Sequence, residues 1–142
     1  MDQQTQIVEY LRRKGSKRKY FICIICDDFA SERSAVRGSA LSKLFLQGRH
    51  IWISTFVLAQ QYRALGVQIR TNAQVLITFR ERSLKNLEAL IEENSALVGK
   101  DIMKKLYDKA TEKPYGFLMI ILTETDKNKQ FYGSFETRLI PA

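Results

Sequence analysis

With 142 residues, the chain has room for one domain at most, burying roughly two-thirds of its unfolded surface if it folds alone. Its hydrophobic content of 45% is ordinary for a globular protein; no apolar run approaches the ~20 residues of a membrane span, and MDQQTQIVEY has no signal-peptide character. Lysine and arginine number 23 against 15 aspartates and glutamates, and the resulting charge of +8 suits a polyanionic partner, nucleic acid most simply.

In chain order, residues 3–13 fit a short helix, and "RRKGSKRK" at 12–19 then places six basic residues in eight. That tract reads as a solvated loop, a phosphate-contacting loop or a nuclear-localisation-like segment. "YFICIIC" at 20–26 is a continuous apolar run bounded by charge, the pattern of a strand covered on both faces in a parallel sheet. "SAVRGSALSKLFLQGRH" carries apolar residues at 36, 40, 41, 44 and 45, a helical spacing, with Gly48 near its end. "IWISTFVLA" at 51–59 is a second buried strand, "QQYRALGVQIRTNA" a loop or short helix, and "QVLITFR" at 74–80 a third strand. The next helix, "SLKNLEALIEENSALVG", has Ser83 as N-cap, Leu84, Leu87, Leu90 and Ile91 on one face, and Gly99 as stop. "KDIMKKLYDKAT" is a further short helix and "YGFLMIIL" at 115–122 a fourth strand. After the polar turn "TETDKNK", "KQFYGSFETRLI" returns as one more strand. No repeat, low-complexity tract or linker interrupts the order. Strand and helix alternate, which predicts an α/β layered fold with a largely parallel sheet, whose function gathers at the carboxyl ends of the strands.

Cys23 and Cys26 lie inside the first strand, which argues for a reducing compartment. Three positions apart along a strand, they point to opposite faces and cannot share one zinc or form a redox pair; both read as small buried hydrophobes. Asp27 and Asp28 end the same strand. An apolar strand closing on an acidic pair is the Walker B arrangement of nucleoside triphosphatases, in which the first carboxylate holds the Mg²⁺ shell and the second polarises the attacking water. The second strand ends on Gln60 and Gln61, and a glutamine there has the donor and acceptor needed to sense a γ-phosphate. Arg49 and Arg70 flank the second and third strands, and either guanidinium could stabilise transferring phosphate charge, within the chain or from a neighbouring subunit. A metal nuclease built on Asp27, Asp28 and Glu32 is a further reading, weakened by the lack of a lysine or histidine base at evident spacing.

Taken together, "FICIICDD", "LFLQGRHIWISTFVLAQQYRALGVQIRTNAQVLITFR" and "KPYGFLMI" resemble the genome-packaging ATPases of large double-stranded DNA viruses. These poxvirus-type enzymes belong to the FtsK/HerA group of ring-forming P-loop translocases, and the likeness spans about residues 19–123. The resemblance implies a P-loop NTPase (RecA/FtsK-like) three-layer fold with a mostly parallel sheet. It implies Asp27 and Asp28 as Walker B and Mg²⁺ residues, Gln60 as sensor, Arg49 as the arginine of the "GR" element, and Arg70 with Asn72 as the "IR-x-N" element. It leaves open which arginine acts between subunits. His50, beside Arg49, reads as a helix-end or phosphate-side contact. By the same resemblance the cofactors are ATP and Mg²⁺, and the partners are double-stranded DNA, a homo-oligomeric ring or an upstream Walker A polypeptide, and capsid or portal proteins. No membrane is implied, and the location would be the virion or the infected cell.

The departure from the family pattern is the phosphate loop. G-x-x-x-x-G-K-[ST] occurs nowhere in residues 1–142, and the single glycine of "RRKGSKRK" cannot replace it. With 26 residues before Asp27, the chain is expected to be the C-terminal portion of the ATPase, one partial domain over 1–142 and incomplete on its N-terminal side. The strand that carries the loop would lie between the second and third strands here. Its loss is expected to leave a gap or a different pairing, with apolar surface exposed. Alone, the chain is then expected to be marginal, aggregation-prone or stabilised by a partner, to bind Mg·ATP weakly and to turn over almost not at all. The alternative function is a non-catalytic DNA- or ring-binding remnant of such an ATPase.

Overall fold

The structure is a computed structural model that describes residues 1–27 and 39–141. It consists of two compact units, Met1–Asn72 and Ala73–Ala142, each with its own sheet. The whole is α/β, with two small sheets of opposite pairing type.

In the first unit, α1 (Asp2–Arg13) buries Gln4 and Val8, one turn apart on the same helix face. The helix closes through Gly15, whose φ of +62° is the left-handed conformation that glycine adopts without strain. Strand β1 (Ile22–Cys26) pairs in parallel with β2 (Ile53–Val57), in a register running from Ile22 opposite Ile53 to Cys26 opposite Val57. Between them lie α2 (Ser39–Gln47) and a 3-10 turn at Gly48–Ile51, and after β2 come a second 3-10 turn at Tyr62–Ala64 and α3 (Val67–Asn72). Cys26, Leu41 and Ile69 form the buried centre, with Ile24, Leu44, Phe45 and Val57 packed on it, so α2 and α3 cover one face of the pair.

Among the described residues, the other face is exposed, contrary to the reading of β1 as a strand buried on both sides. Ile25 is 67% exposed and Phe56 58%, and Cys23 is exposed where Cys26 is buried. The two cysteines do point to opposite faces. Only Cys26 is the buried filler that the sequence suggested for both, because α2 and α3 pack on its side.

In the second unit, β3 (Val75–Phe79), β4 (Phe117–Ile121), β5 (Phe131–Tyr132) and β6 (Arg138–Leu139) form a sheet in that order, antiparallel throughout. Helices α4 (Leu84–Val98) and α5 (Lys100–Ala110) connect β3 to β4 and meet at Gly99. The expected parallel pairing fails here for a simple reason. One helix returns the chain to the end of the sheet where the strand began, whereas two in succession carry it back to where the strand finished, and β4 must run antiparallel. Ser83 caps α4 as expected, its Oγ accepting from the Asn86 N–H at 3.4 Å. Leu90, Ile91, Met103, Leu106, Leu118, Ile120 and Phe131 are buried, whereas Leu84 is exposed. The final segment is two short strands rather than one. Ser134 Oγ accepts from the N–H groups of Glu136 and Thr137, and the Gly133 N–H donates to Thr137 O, turning the chain between β5 and β6. Among the described residues, β2 and β3 are not paired, and no helix is long and apolar enough to cross a membrane.

Candidate functional site

Parallel strands deliver their last side chains to the same end of the sheet, and at that end of β1 and β2 an open depression forms. The ladder runs one step beyond β1, with the Leu58 N–H donating to Cys26 O at 2.9 Å. Asp27 thereby leaves β1 beside the segment 58–60 that leaves β2. Asp27, Leu58, Ala59 and Gln60 line a depression of ≈ 400 Å³, with both polar residues exposed to solvent. A carboxylate and a primary amide converge there over an apolar floor. Asp27 offers the oxygen donor type that Mg²⁺ takes, and an open cleft leaves room for its waters and a phosphate chain, so the described residues fit the implied metal. Asp28, the second carboxylate singled out from the sequence, and Glu32 lie outside the described residues. Among the described residues, no three histidine, cysteine or carboxylate side chains cluster as a ready-made metal cage.

The two candidate arginines are at opposite ends of β2. Arg70, on α3, donates through Nη1 to Leu65 O, and its guanidinium lies 5.1 Å from the ring centroid of Tyr62. Tyr62 and Leu65 belong to the turn that follows Gln60, so Arg70 is tied to the carboxyl end of β2. Asn72, at the end of the same helix, donates through Nδ2 to Gln68 O at 2.8 Å and to Thr71 Oγ1 at 3.3 Å, which directs it back along α3. Arg49 sits in the 3-10 turn that precedes β2. The five residues of β2 separate it from Gln60, about 16 Å of extended chain. Its Nε donates to His50 Nε2 at 3.4 Å, and His50 O accepts from Arg12 Nη2 at 3.0 Å. His50 is thus a turn-end contact, one of the two roles its position suggested.

Sequence reasoning missed the partners that hold these groups. Tyr62, on which the Arg70 guanidinium rests, lies eight positions before it with no periodic signal. Trp52 reads as part of the second strand, yet it precedes β2 with a left-handed φ of 58°. Gln4 looks like one polar helix residue among several, yet it is buried and ties α1 to two other segments. A further depression of ≈ 390 Å³ in the second unit, lined by residues including Phe79, Arg80, Arg82 and Lys113, contains none of the residues singled out from the sequence.

Comparison with protein families gives a match to the family described as Poxvirus A32 protein, over residues 1–128. The chain belongs to this family, a family of genome-packaging ATPases. At family level, this means a viral genome-packaging ATPase that depends on ATP and Mg²⁺, with DNA and packaging proteins as partners, in the virion or infected cell. The match includes Asp27, Asp28, Arg49, Gln60, Arg70 and Asn72. No curated protein and no solved structure matches the chain.

Proposed function

We propose that this chain supplies the acidic, sensor and arginine elements of a viral DNA-packaging translocase with the P-loop, RecA/FtsK-like fold. Residues 1–142 would form one part of its ATPase domain. The observation that carries the reading is the depression shared by Asp27 and Gln60 at the carboxyl ends of β1 and β2. Support comes also from the pairing of β2, which among the described residues is with β1 alone, so that a further strand bearing a phosphate loop would add to its other edge.

In this reading, Asp27 orients the Mg²⁺ shell, and bound Mg²⁺ would neutralise charge on the β- and γ-phosphates. Asp28 accepts a hydrogen bond from the attacking water and raises its nucleophilicity. Gln60 donates to the γ-phosphate and accepts from the same water, which fixes the line of attack. Arg70, already stacked on Tyr62 at the same end of β2, meets the charge that develops on the transferring phosphoryl group, with Asn72 beside it on α3. Arg49, at the far end of β2, acts on the nucleotide of a neighbouring subunit in a homo-oligomeric ring. Energy from hydrolysis would move duplex DNA through that ring into the capsid, with portal or capsid proteins as the docking partners.

The phosphate cradle would come from a separate Walker A segment, since residues 1–142 contain no such loop. That same absence favours the second reading, a non-catalytic DNA- or ring-binding relative. Mixing the purified chain with a Walker A polypeptide coded upstream and measuring DNA-stimulated ATP hydrolysis separates the two. The first reading expects activity above either component alone, lowered on the order of 10²-fold or more by Asp28→Ala and by Gln60→Ala. No gain on mixing overturns it in favour of the second.

A further inference from the structure

The basic tract 12–19 is left unused by the nucleotide site, and the fold gives it a defined place. We propose that it forms a contact surface for the phosphate backbone of duplex DNA, held at the amino ends of β1 and β2, the end away from Asp27. The choice of duplex DNA as the polyanion rests on the packaging reading above; the surface itself rests on the following geometry.

Arg12, Arg13, Lys14, Lys17, Arg18 and Lys19 are all exposed. A loop of repelling cations in solvent would have no reason to be ordered, yet this one is anchored at several points. Gln4 Nε2 donates to Tyr20 O at 2.8 Å and to Ile51 O at 3.0 Å, fastening α1 to the start of β1 and to the turn before β2. Arg12 Nη2 donates to His50 O at 3.0 Å. Ser16 Oγ accepts from the Arg18 N–H at 3.1 Å inside the loop. The Trp52 ring gathers the cations, with Arg12 Cζ and Lys19 Nζ each 5.9 Å from its centroid and Phe21 packed against it at 6.0 Å.

Among the described residues, little acidic charge offsets this patch. Glu9 meets Arg13 at 3.7 Å in an exposed pair that contributes almost nothing. Asp2 is at the other end of α1, about 16 Å away along the helix. The patch also lies the length of β1 from Asp27, so that carboxylate does not compete for it.

The aromatic side chains decide which part of a nucleic acid is read. Trp52 is occupied by Arg12, Lys19 and Phe21, and Lys14 Nζ lies 5.9 Å from the Tyr10 centroid. Trp52 is only half-exposed beneath Arg12, Lys19 and Phe21, so at this ring the cations are what an approaching polyanion meets, and they favour phosphate contact over base stacking. A compact set of six cations also suits the denser phosphate array of a duplex, one charge per ~1.7 Å of axis, over a single strand.

The test is fluorescence anisotropy of the full chain with a labelled blunt duplex over a salt series. Wild type is compared with K17E/R18E/K19E in the loop and with K104E/K105E/K109E on α5, and amide hydrogen exchange verifies that each variant is folded. The loop variant is expected to bind on the order of tenfold or more weaker, with a slope of log K against log salt about 2–3 shallower; the α5 variant should stay within about twofold of wild type. Equal losses in both variants, or none in the loop variant, overturn the proposal. So does tighter binding of a single strand than of the duplex of equal length. Failure here is distinguishable from failure of the packaging reading. Asp27→Asn should leave duplex binding intact, and the ATPase complementation can succeed or fail independently of the loop variant's DNA affinity.

Discussion

Replacing Gln4 by methionine keeps the side-chain volume and removes the amide that joins three segments of the first unit. Gln4 is 5% exposed, and its Nε2 serves both Tyr20 O and Ile51 O. Each such bond contributes about 1 kcal/mol net, and each carbonyl left without its donor in a part-buried setting adds a penalty of about 1 kcal/mol or more. The sum for Gln4→Met is about 2–4 kcal/mol, with little cavity contribution because the volumes match. The assay is native-state amide exchange at the β1–β2 ladder, read at the Ile22 N–H, which donates to Trp52 O, and at the Leu58 N–H, which donates to Cys26 O. At about 1.4 kcal/mol per decade, protection should fall roughly 30- to 700-fold. A fall of less than about threefold would refute the claim that Gln4 pins α1 across the amino ends of the two strands. The same variant should loosen the basic loop, since the Tyr20 carbonyl is its C-terminal anchor.

Two glycines should respond to alanine for different reasons. A Cβ on Gly116 would lie 2.5 Å from Ala110 O and 2.9 Å from Lys113 O, both backbone atoms that cannot turn aside, so Gly116→Ala should cost about 1–3 kcal/mol or more in urea denaturation. Gly15 has nothing within 4 Å but a φ of +62°, and Gly15→Ala should cost only the 1–2 kcal/mol or so of a left-handed alanine; a reversed order would refute both accounts. Asp126 has its carboxyl held below the usual aspartate value, first by the hydrogen bond from the Asn128 N–H, opposed by desolvation, and then by Lys129 and Arg138. A depressed folded value means stabilisation that is complete above the unfolded value and is lost as pH falls through the folded one. Carboxyl NMR titration should therefore give a midpoint below that of an unperturbed aspartate, and Asp126→Asn should weaken the turn before β5 at pH 7 but not in strong acid; a midpoint at or above the unperturbed one would contradict this.

Much of the site region was legible because its signals are local. A run of apolar residues ends where a strand leaves the core, and the residues just past that point emerge at the sheet's carboxyl end. Asp27 and Gln60 could therefore be assigned to one end of the fold from their positions alone, and the two cysteines to opposite faces. Ser83 is equally local, because an N-cap bonds to a backbone N–H three residues on. Where reading by segment erred, the deciding fact lay elsewhere in the chain. "YFICIIC" has the same composition whether one or both faces are covered, and only the position of α2 and α3 shows which holds. The β3–β4 pairing turned antiparallel because two helices intervene, a matter of how the path returns and not of either strand's residues.

The sequence by itself determined where strands stop, which acids and amides stand at their ends, and that six cations crowd residues 12–19. The tertiary structure decided what those groups meet. Hydrogen bonds from Gln4 span 16 and 47 residues of sequence, and the bond from Arg12 to His50 spans 38. Arg49 and Arg70 look equivalent as residues flanking strands, yet a parallel strand has two chemically distinct ends, and folding sends one arginine to each. Side-chain period is written in neighbouring residues, whereas proximity across a sheet follows from the path of the whole chain. That is why the carboxyl-end depression could be anticipated, whereas for the basic tract the sequence showed the cations but not the contacts that anchor them at the amino end.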